Sequence, residues 1–278
     1  MPLSTFAPPP ALAAFVDAFW VNTGGDHDDG ARPLERGREL PTGTPGLVIN
    51  LSKGESVQVY HPTAPQCGQR FAEAVIRGPY SEWYECEGSR ALVQIGVHFK
   101  PGGAYPFFAL PAGELHNTHL PLDALWGARV AELRERLLET QGPEAQVRLL
   151  AWALQARAVR PLEPHPAVAY ALRTFHSAPH TCTIAQVADC VGLSHGRFVQ
   201  VFRDAVGMSP KRYCRLRRFL EVLRRAHEEE AVAWAELAVA CGYYDQAHLI
   251  NDFRAFASMT PSAYTPGHML GWSLPPAR

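Results

Sequence analysis

The chain has 278 residues, 47% of them hydrophobic and 19% charged, with a formal net charge of -1. That length admits two domains with separate cores, and the balanced charge excludes a globally basic nucleic-acid binder, so any such site must be a local patch. The opening "MPLSTFAPPPALAAFVDAFW" lacks a basic start and carries Asp17 in its apolar part, and no window holds 18 uncharged apolar residues; neither a secretion signal nor a membrane span is expected, and the cytoplasm is the expected location.

In chain order, the first third predicts strands. "GLVINLS" and "SVQVY" are β-branched runs, "ALVQIGVHF" alternates, and "PTGTPG" and "KPGGAYP" punctuate them as turns. Residues 1–121 are expected to form a β sandwich or barrel. Its aromatics, among them Trp20, Tyr84, Phe99, Tyr105, Phe107 and Phe108, suit either a packed barrel or an apolar pocket, and Tyr60, Trp83 and His98 are the candidate effector-binding residues. His116 and His119 in "HNTH" have no acidic or thiol companion at ligand spacing, and "KPGG" is not followed by the helix of a phosphate loop; no metal, cofactor or catalytic residue is expected. Cys67, Cys86, Cys182, Cys190, Cys214 and Cys241 show no CxxC spacing and read as free thiols.

From Leu122 the apolar period becomes helical. "LDALWGARVAELRERLLETQ" and "PEAQVRLLAWALQARAV", broken at Gly142-Pro143, predict a helical hairpin over residues 122–160 that belongs to the first domain. Its many leucines exceed what one barrel flank needs, which predicts a homodimer through this region. Residues 161–166, with Pro161, Pro164 and Pro166, predict a stiff linker.

Beyond the linker the chain repeats itself. Ala188 and Gly192 recur 50 residues later as Ala238 and Gly242, whereas Phe202, Pro210 and Tyr213 recur 51 residues later as Phe253, Pro261 and Tyr264. The slip predicts a turn one residue longer in the second copy. In the first copy Thr183 and Gln186 predict a capping box for a helix over Ile184 to Cys190, Gly192 a tight turn, and Ser194 the cap of a second helix that Gly207 stops. Phe198, Val201, Phe202 and Ala205 mark its inward stripe, leaving Gly196, Arg197, Val199, Gln200 and Arg203 outside. In the second copy Asp245 caps, Leu249 and Phe253 face inward, and Gln246, Ala247, Ile250, Asn251 and Arg254 are outside. A short helix, a glycine turn and a second helix with a polar outer stripe is the helix-turn-helix arrangement, whose second helix enters a major groove.

Between the copies runs "PKRYCRLRRFLEVLRRAHE", with Leu216, Phe219, Leu220 and Leu223 as an apolar stripe and a crowd of cations around it. This is the local basic patch. A helix of roughly 16 residues rises about 24 Å, a spacer suited to recognition helices in grooves roughly 34 Å apart. The base-reading candidates are Gly196, Arg197, Val199, Gln200, Gln246, Ala247, Ile250 and Asn251. The phosphate candidates are Ser194, Arg203, Lys211, Arg215, Arg218, Arg225 and Arg254.

Two such units joined by a long helix make residues 167–265 resemble the DNA-binding domain of AraC-type (AraC/XylS) transcriptional regulators, most closely through "GYYDQAHLINDFRAF" with "MTPSAY" and through "GMSPKRY". The stretches "ELPTGTPGLVINL" and "GVHFKPGGAYPFFALPAGEL" resemble a sensor domain found in some of these regulators, which implies a cupin-like β fold. The resemblance implies an α+β chain with an all-α tandem helix-turn-helix domain and a short tail over residues 266–278. It also implies a non-enzymatic regulator that binds double-stranded DNA and answers to a small-molecule effector, with a homodimer partner and RNA polymerase as further expected contacts. Two departures stand out: Gln200 and Asn251 occupy positions where the family usually has Arg, and Ser258 stands where a glycine usually ends the second recognition helix, so that end is expected to fray or continue differently. The competing expectation is a cupin-like metal enzyme, or an alkylation-sensing protein, fused to a DNA-binding domain.

Overall fold

The computed structural model describes residues 3–24, 35–89, 92–177, 182–228 and 232–264. The expected tail over 266–278 lies outside the described residues. Ten strands occupy the first part: β1 (Leu3–Phe6), β2 (Val16–Thr23), β3 (Glu35–Glu39), β4 (Gly46–Asn50), β5 (Val57–Tyr60), β6 (Gln69–Phe71), β7 (Ala74–Arg77), β8 (Tyr84–Gly88), β9 (Val93–Phe99) and β10 (His119–Pro121). They pair antiparallel as a six-stranded sheet, β1-β2-β9-β4-β7-β10, and a four-stranded sheet, β3-β8-β5-β6.

Strand alternation gives the larger sheet two unlike faces. On one, Phe19, Val21, Ile95, Val97 and Phe99 join an aliphatic core that continues into the helices beyond residue 122. On the other, Trp20, Gln94 and His98 look toward the smaller sheet. The aliphatic face is covered by α1 (Asp123–Trp126), α2 (Arg129–Glu139) and α3 (Pro143–Ala156). Leu137, Leu150 and Leu154 are fully buried there, and truncating any one to Ala would cost roughly 2–5 kcal/mol.

Two hairpin expectations need correction. Gly127, at φ +66°, splits off the first turn as a separate helix, so the hairpin is three helices rather than two. The apolar surplus is also mostly absorbed within the chain, since Leu133, Leu137, Leu150 and Leu154 pack on the sheet while Leu138 (40%), Trp152 (57%) and Val159 (57%) stay open to solvent.

After the proline-rich connection come α4 (Pro166–Ser177), α5 (Ile184–Cys190), α6 (His195–Val206), α7 (Pro210–Glu228), α8 (Trp234–Ala240) and α9 (Gln246–Ala257) around a second core. The fold is therefore α+β, a β sandwich with helices followed by an all-α domain. At 19 residues α7 spans about 28 Å. Its buried stripe of Tyr213, Leu216, Phe219, Val222, Leu223 and Ala226 lets both flanking units pack on one helix. No helix among the described residues is long and apolar enough to cross a membrane.

Candidate nucleic-acid interface and buried cavity

Both helix-turn-helix units are built by the same local chemistry. Thr183 Oγ1 accepts from Gln186 N at 3.2 Å while Gln186 Oε1 accepts from Thr183 N at 2.8 Å, closing the capping box at the start of α5. Gly192 turns the chain at φ +69°, and Leu193 N donates to Ala188 O at 3.0 Å. The second turn repeats this with Gly242 at φ +76° and Tyr243 N donating to Ala238 O at 2.9 Å. Ser194 caps α6 through Arg197 N, and Asp245 caps α9 through His248 N at 2.7 Å. The extra residue of the longer turn is Tyr244, whose 90% exposure puts an unpartnered phenol ring beside the second recognition helix. The alignment slip located this residue without marking it as functional; an exposed aromatic inserted before a cap was the available signal.

Phe198, Phe202, Leu249 and Phe253 are fully buried, which turns the opposite stripes to solvent. Gly196, Arg197 and Gln200 on α6 and Gln246, Ala247 and Asn251 on α9 are exposed, with Val199 and Ile250 half-buried beside them. Gln200 is engaged: its Nε2 donates to Asp204 Oδ1 at 2.7 Å, one helical turn on.

The cations divide into two groups. Lys211, Arg203 and Arg254, with Ser194, lie exposed. The other three phosphate candidates are half-buried and engaged by partners within the domain. Arg215 Nη2 donates to Asp252 Oδ1 at 2.5 Å, and Tyr243 Oη donates to the other Asp252 oxygen at 3.1 Å. Arg218 lies 5.1 Å over the Tyr243 ring, and Arg225 Nε donates to Glu221 Oε1 at 2.7 Å. Arg215 and Arg218 fasten α9 and its turn to α7, because the second unit buries Asp252 against that face and needs a cation there, whereas Arg225 pairs within α7 itself. Glu221 is held down to about 2 by the hydrogen bonds from Arg224 and Arg225, so it keeps its charge and its two partners.

The helix end at Ser258 also differs from expectation. Ser258 takes the left-handed conformation itself, at φ +53°, and its N–H donates to Arg254 O at 3.1 Å, so α9 ends cleanly with a serine doing a glycine's work.

A cavity of about 90 Å³ lies between the two sheets, walled by Val48, Val57, Val59, Phe71 and Val75, with Trp20, Glu73, Arg77, Gln94, His98 and His119 among its polar-bearing residues. Burial, with Arg77 nearby, holds the His98 ring down to about 4 and His119 well below the usual histidine range, so both are neutral at pH 7. Of the three effector candidates, only His98 lines this cavity. Tyr60 is the last residue of β5 and points away from the cavity that Val59 faces, under the Arg36 guanidinium at 3.8 Å and donating to Glu87 Oε2 at 2.7 Å. Trp83 lies where the two domains meet. Alternation along the strands turns His98 inward and Tyr60, next to inward Val59, outward, while Trp83 falls in a loop where period two carries no information.

The segment 78–83 between β7 and β8 has one side packed behind two cavity-lining residues, Tyr84 and His119, and the other on the helical domain. Inward, Tyr80 packs on Tyr84 at 4.5 Å between ring centroids, and its hydroxyl meets His119 Nδ1 at 2.7 Å. Outward, Arg212 Nε of α7 donates to Ser81 Oγ at 2.6 Å and its Nη2 donates to Glu82 Oε1 at 2.9 Å, while His116 Nε2 meets the same Ser81 hydroxyl at 2.8 Å. A Cβ on Gly207, the C-cap of α6, would sit 2.1 Å from Pro79 Cγ. Next to them, Arg38 stacks 4.1 Å over Trp83 and donates to Ala257 O at the end of α9 at 3.0 Å. His116 and His119 thus serve two different contacts. Among the described residues no group of three or more His, Cys, Asp or Glu is placed to hold a metal ion.

Comparison with known proteins agrees with this division. Residues 4–121 match a family described as a domain of unknown function (DUF6597), and residues 187–266 match a helix-turn-helix domain family. No curated protein sequence matches. Among solved structures, ToxT from Vibrio cholerae is similar at 7% identity, with 83% of this chain and 97% of that chain covered and a TM-score of 0.46. ToxT from Vibrio cholerae O395 bound to (E)-4-(8-methylnaphthalen-1-yl)but-3-enoic acid is similar at 8% identity, with 83% and 97% covered and a TM-score of 0.47. A DNA-binding transcriptional dual regulator from Escherichia coli K-12 is similar at 21% identity, with 37% of this chain and 91% of that chain covered and a TM-score of 0.31.

Proposed function

We propose, from the AraC-type helix-turn-helix domain that this chain carries at its C-terminal end, that the protein is a sequence-specific transcriptional regulator whose α6 and α9 read successive major grooves under the control of a small effector held in the N-terminal domain. In this reading residues 1–160 sense and residues 167–265 bind DNA. The observation that carries it is the pair of identically closed turns, Leu193 N to Ala188 O and Tyr243 N to Ala238 O, each presenting a recognition helix with a bare outer stripe on a shared 19-residue spacer. Arg197, Gln200, Gln246 and Asn251, with Gly196, Val199, Ala247 and Ile250, face base edges, and Tyr244 joins them at the second groove. Amide side chains match adenine N6 and N7, so adenine is favoured opposite Gln200 or Asn251, with Gln200 leaving Asp204 to do so. Ser194, Arg203, Lys211 and Arg254 take phosphates directly; Arg215, Arg218 and Arg225 contribute field and position rather than contact.

The effector acts through segment 78–83. A molecule in the cavity shifts Tyr84 and His119, Tyr80 packs on both, and the backbone that carries Tyr80 also carries Pro79, Ser81 and Glu82 against α6 and α7. Its differential affinity for the docked and released arrangements sets how the recognition helices are presented. No covalent step is required. Selection of bound sequences from a random duplex pool tests the reading: a split motif with half-sites about one helical turn apart supports it, and no enrichment above input refutes it. A homodimer through Leu138 and Trp152 is expected to give twice the monomer mass by light scattering, and a contact with RNA polymerase is expected to appear as co-retention only on promoter DNA.

A further inference from the structure

We infer that the cavity takes a small uncharged molecule that offers a hydrogen-bond acceptor and a donor at one end, in the manner of an azole or a short amide, and that Trp20 and Gln94 are the residues that recognise it. This deepens the effector reading above and rests on it only for the consequence at DNA. Two polar atoms in the cavity wall, Trp20 Nε1 and Gln94 Oε1, are buried with no hydrogen-bond partner. Their residues are 5% and 1% exposed, so bulk water does not reach them. A buried donor and acceptor left unpaired are among the costlier features a fold carries, and ones retained in a cavity point to a group that enters it.

The sheet register explains why one molecule serves both. Trp20 pairs with Gly96 and Asn22 with Gln94 across β2 and β9, which makes Trp20 and Gln94 diagonal neighbours on one face, roughly 7–8 Å apart at their bases. Gly96 is part of the device: a Cβ there would sit 2.3 Å from Trp20 Cζ2 and 2.4 Å from Cε2, so the indole edge that carries Nε1 lies over bare backbone. His98 stacks on the other part of that indole at 5.9 Å and 30°.

Charge and size narrow the class. The cation among the lining residues, Arg77, is balanced by the nearby Glu39 carboxylate and bonded to the Tyr84 hydroxyl at 3.4 Å, and a carboxylate, Glu73, also lines the cavity, so no anion is needed. A dry cavity of about 150 Å³ takes benzene, and by that scale the ≈ 90 Å³ here takes about four heavy atoms, close to the roughly five of the smallest azoles and amides. Pyrazole and propionamide fit: each has an acceptor for the Trp20 N–H and a donor for the Gln94 oxygen.

The test uses the full chain with ¹⁵N in its indole groups. The sequence has six tryptophans, and the Trp20 resonance is the one lost in Trp20→Phe. Pyrazole or propionamide is expected to move that resonance saturably, with a Kd weaker than roughly micromolar given the affinity ceiling for so few atoms. Gln94→Leu is expected to weaken binding at least about tenfold while leaving the melting transition in place, and acetate and cyclopentene are expected to bind at least about tenfold more weakly than pyrazole. No saturable shift with either polar probe up to about 50 mM, which would mean the cavity holds ordered water only, overturns the inference. Equal binding of cyclopentene or acetate overturns it as well. If pyrazole binds as expected but DNA affinity stays constant, the chemistry assigned to the cavity stands and the effector reading falls. If neither probe moves Trp20 while another molecule changes DNA affinity, the effector reading stands and this assignment falls.

Discussion

The two helix-turn-helix units share their turn closure, yet they are held in place by different means. The first is clasped from outside: Pro79 packs on Gly207 at the end of α6, Arg203 lies along Gly113, and Arg212 reaches Ser81 and Glu82. The second is held from inside by a buried carboxylate, Asp252, with Arg215 and Tyr243 bonded to its two oxygens, and it touches the sheet domain through Arg38 on Ala257 O. The difference teaches where control can act. A change in the N-terminal domain would reach α6 through several contacts and α9 through few, so under the proposed effector control the first unit is the one expected to adjust and the second the one expected to hold.

The largest expected effect breaks the inner anchor. Asp252 is fully buried and Arg215 is 44% exposed, so the pair is partly screened, and Asp252→Asn is expected to destabilise the helical domain by about 2–3 kcal/mol in urea unfolding. DNA binding by the second half-site should be lost first; an unchanged unfolding midpoint would dissolve the contrast between the units.

Next comes the outer clasp. Gly207→Ala places a side chain at φ +93° and against Pro79, and about 2 kcal/mol is expected, whereas Gly192→Ala at φ +69° meets open space and should cost about 1 kcal/mol, the strain alone. Protease sensitivity at the junction of the domains should rise in Gly207→Ala and not in Gly192→Ala. Equal behaviour of the two variants would mean that Pro79 does not clasp α6.

Ser258→Gly tests the opposite sign. Ser258 occupies the left-handed region at φ +53° with its side chain exposed, so glycine there is expected to stabilise by about 0.5–1 kcal/mol, read as a higher melting temperature. A loss of stability would show that the serine makes a contact that outweighs the strain.

The smallest effect is a pH dependence confined to the clasp. Burial, and then Arg212, lowers the His116 pKa, with Glu82 opposing and Arg203 adding. Because the folded value lies below the unfolded 6.5, the docked state binds fewer protons than the released one. Its stability is therefore complete above pH 6.5 and declines as pH falls below that value. Hydrogen exchange in α6 should accelerate on acidification before exchange in α9, and His116→Gln should flatten the difference. Simultaneous acceleration of both helices in the wild type would remove His116 from the clasp.

The features legible in the sequence are those whose partners lie within a few residues. The capping box of Thr183 and Gln186, the caps at Ser194 and Asp245, the turn glycines and the one-residue slip are all local, because a cap or a turn is decided by backbone geometry over three to six positions. Helical and strand periods likewise separate inward Phe202 and Phe253 from outward Gln200 and Asn251. What only the tertiary structure decided is which cations stay free and which residues meet across the domains. Arg215 and Lys211 look alike in the basic run, but the packing of α9 on α7 buries Asp252 beside one of them and leaves the other in solvent. Arg212 finds Ser81 from 131 residues away and Arg38 finds Ala257 O from 219 residues away. The cavity belongs to the same class: Trp20 and Gln94 are distant in the chain and become neighbours through the β2–β9 register, and an unpaired polar atom exists only once the chain has closed around it. Local pattern sets which face of an element is apolar; which two faces meet, and what is left unsatisfied between them, is settled by the sum of packing over the whole fold.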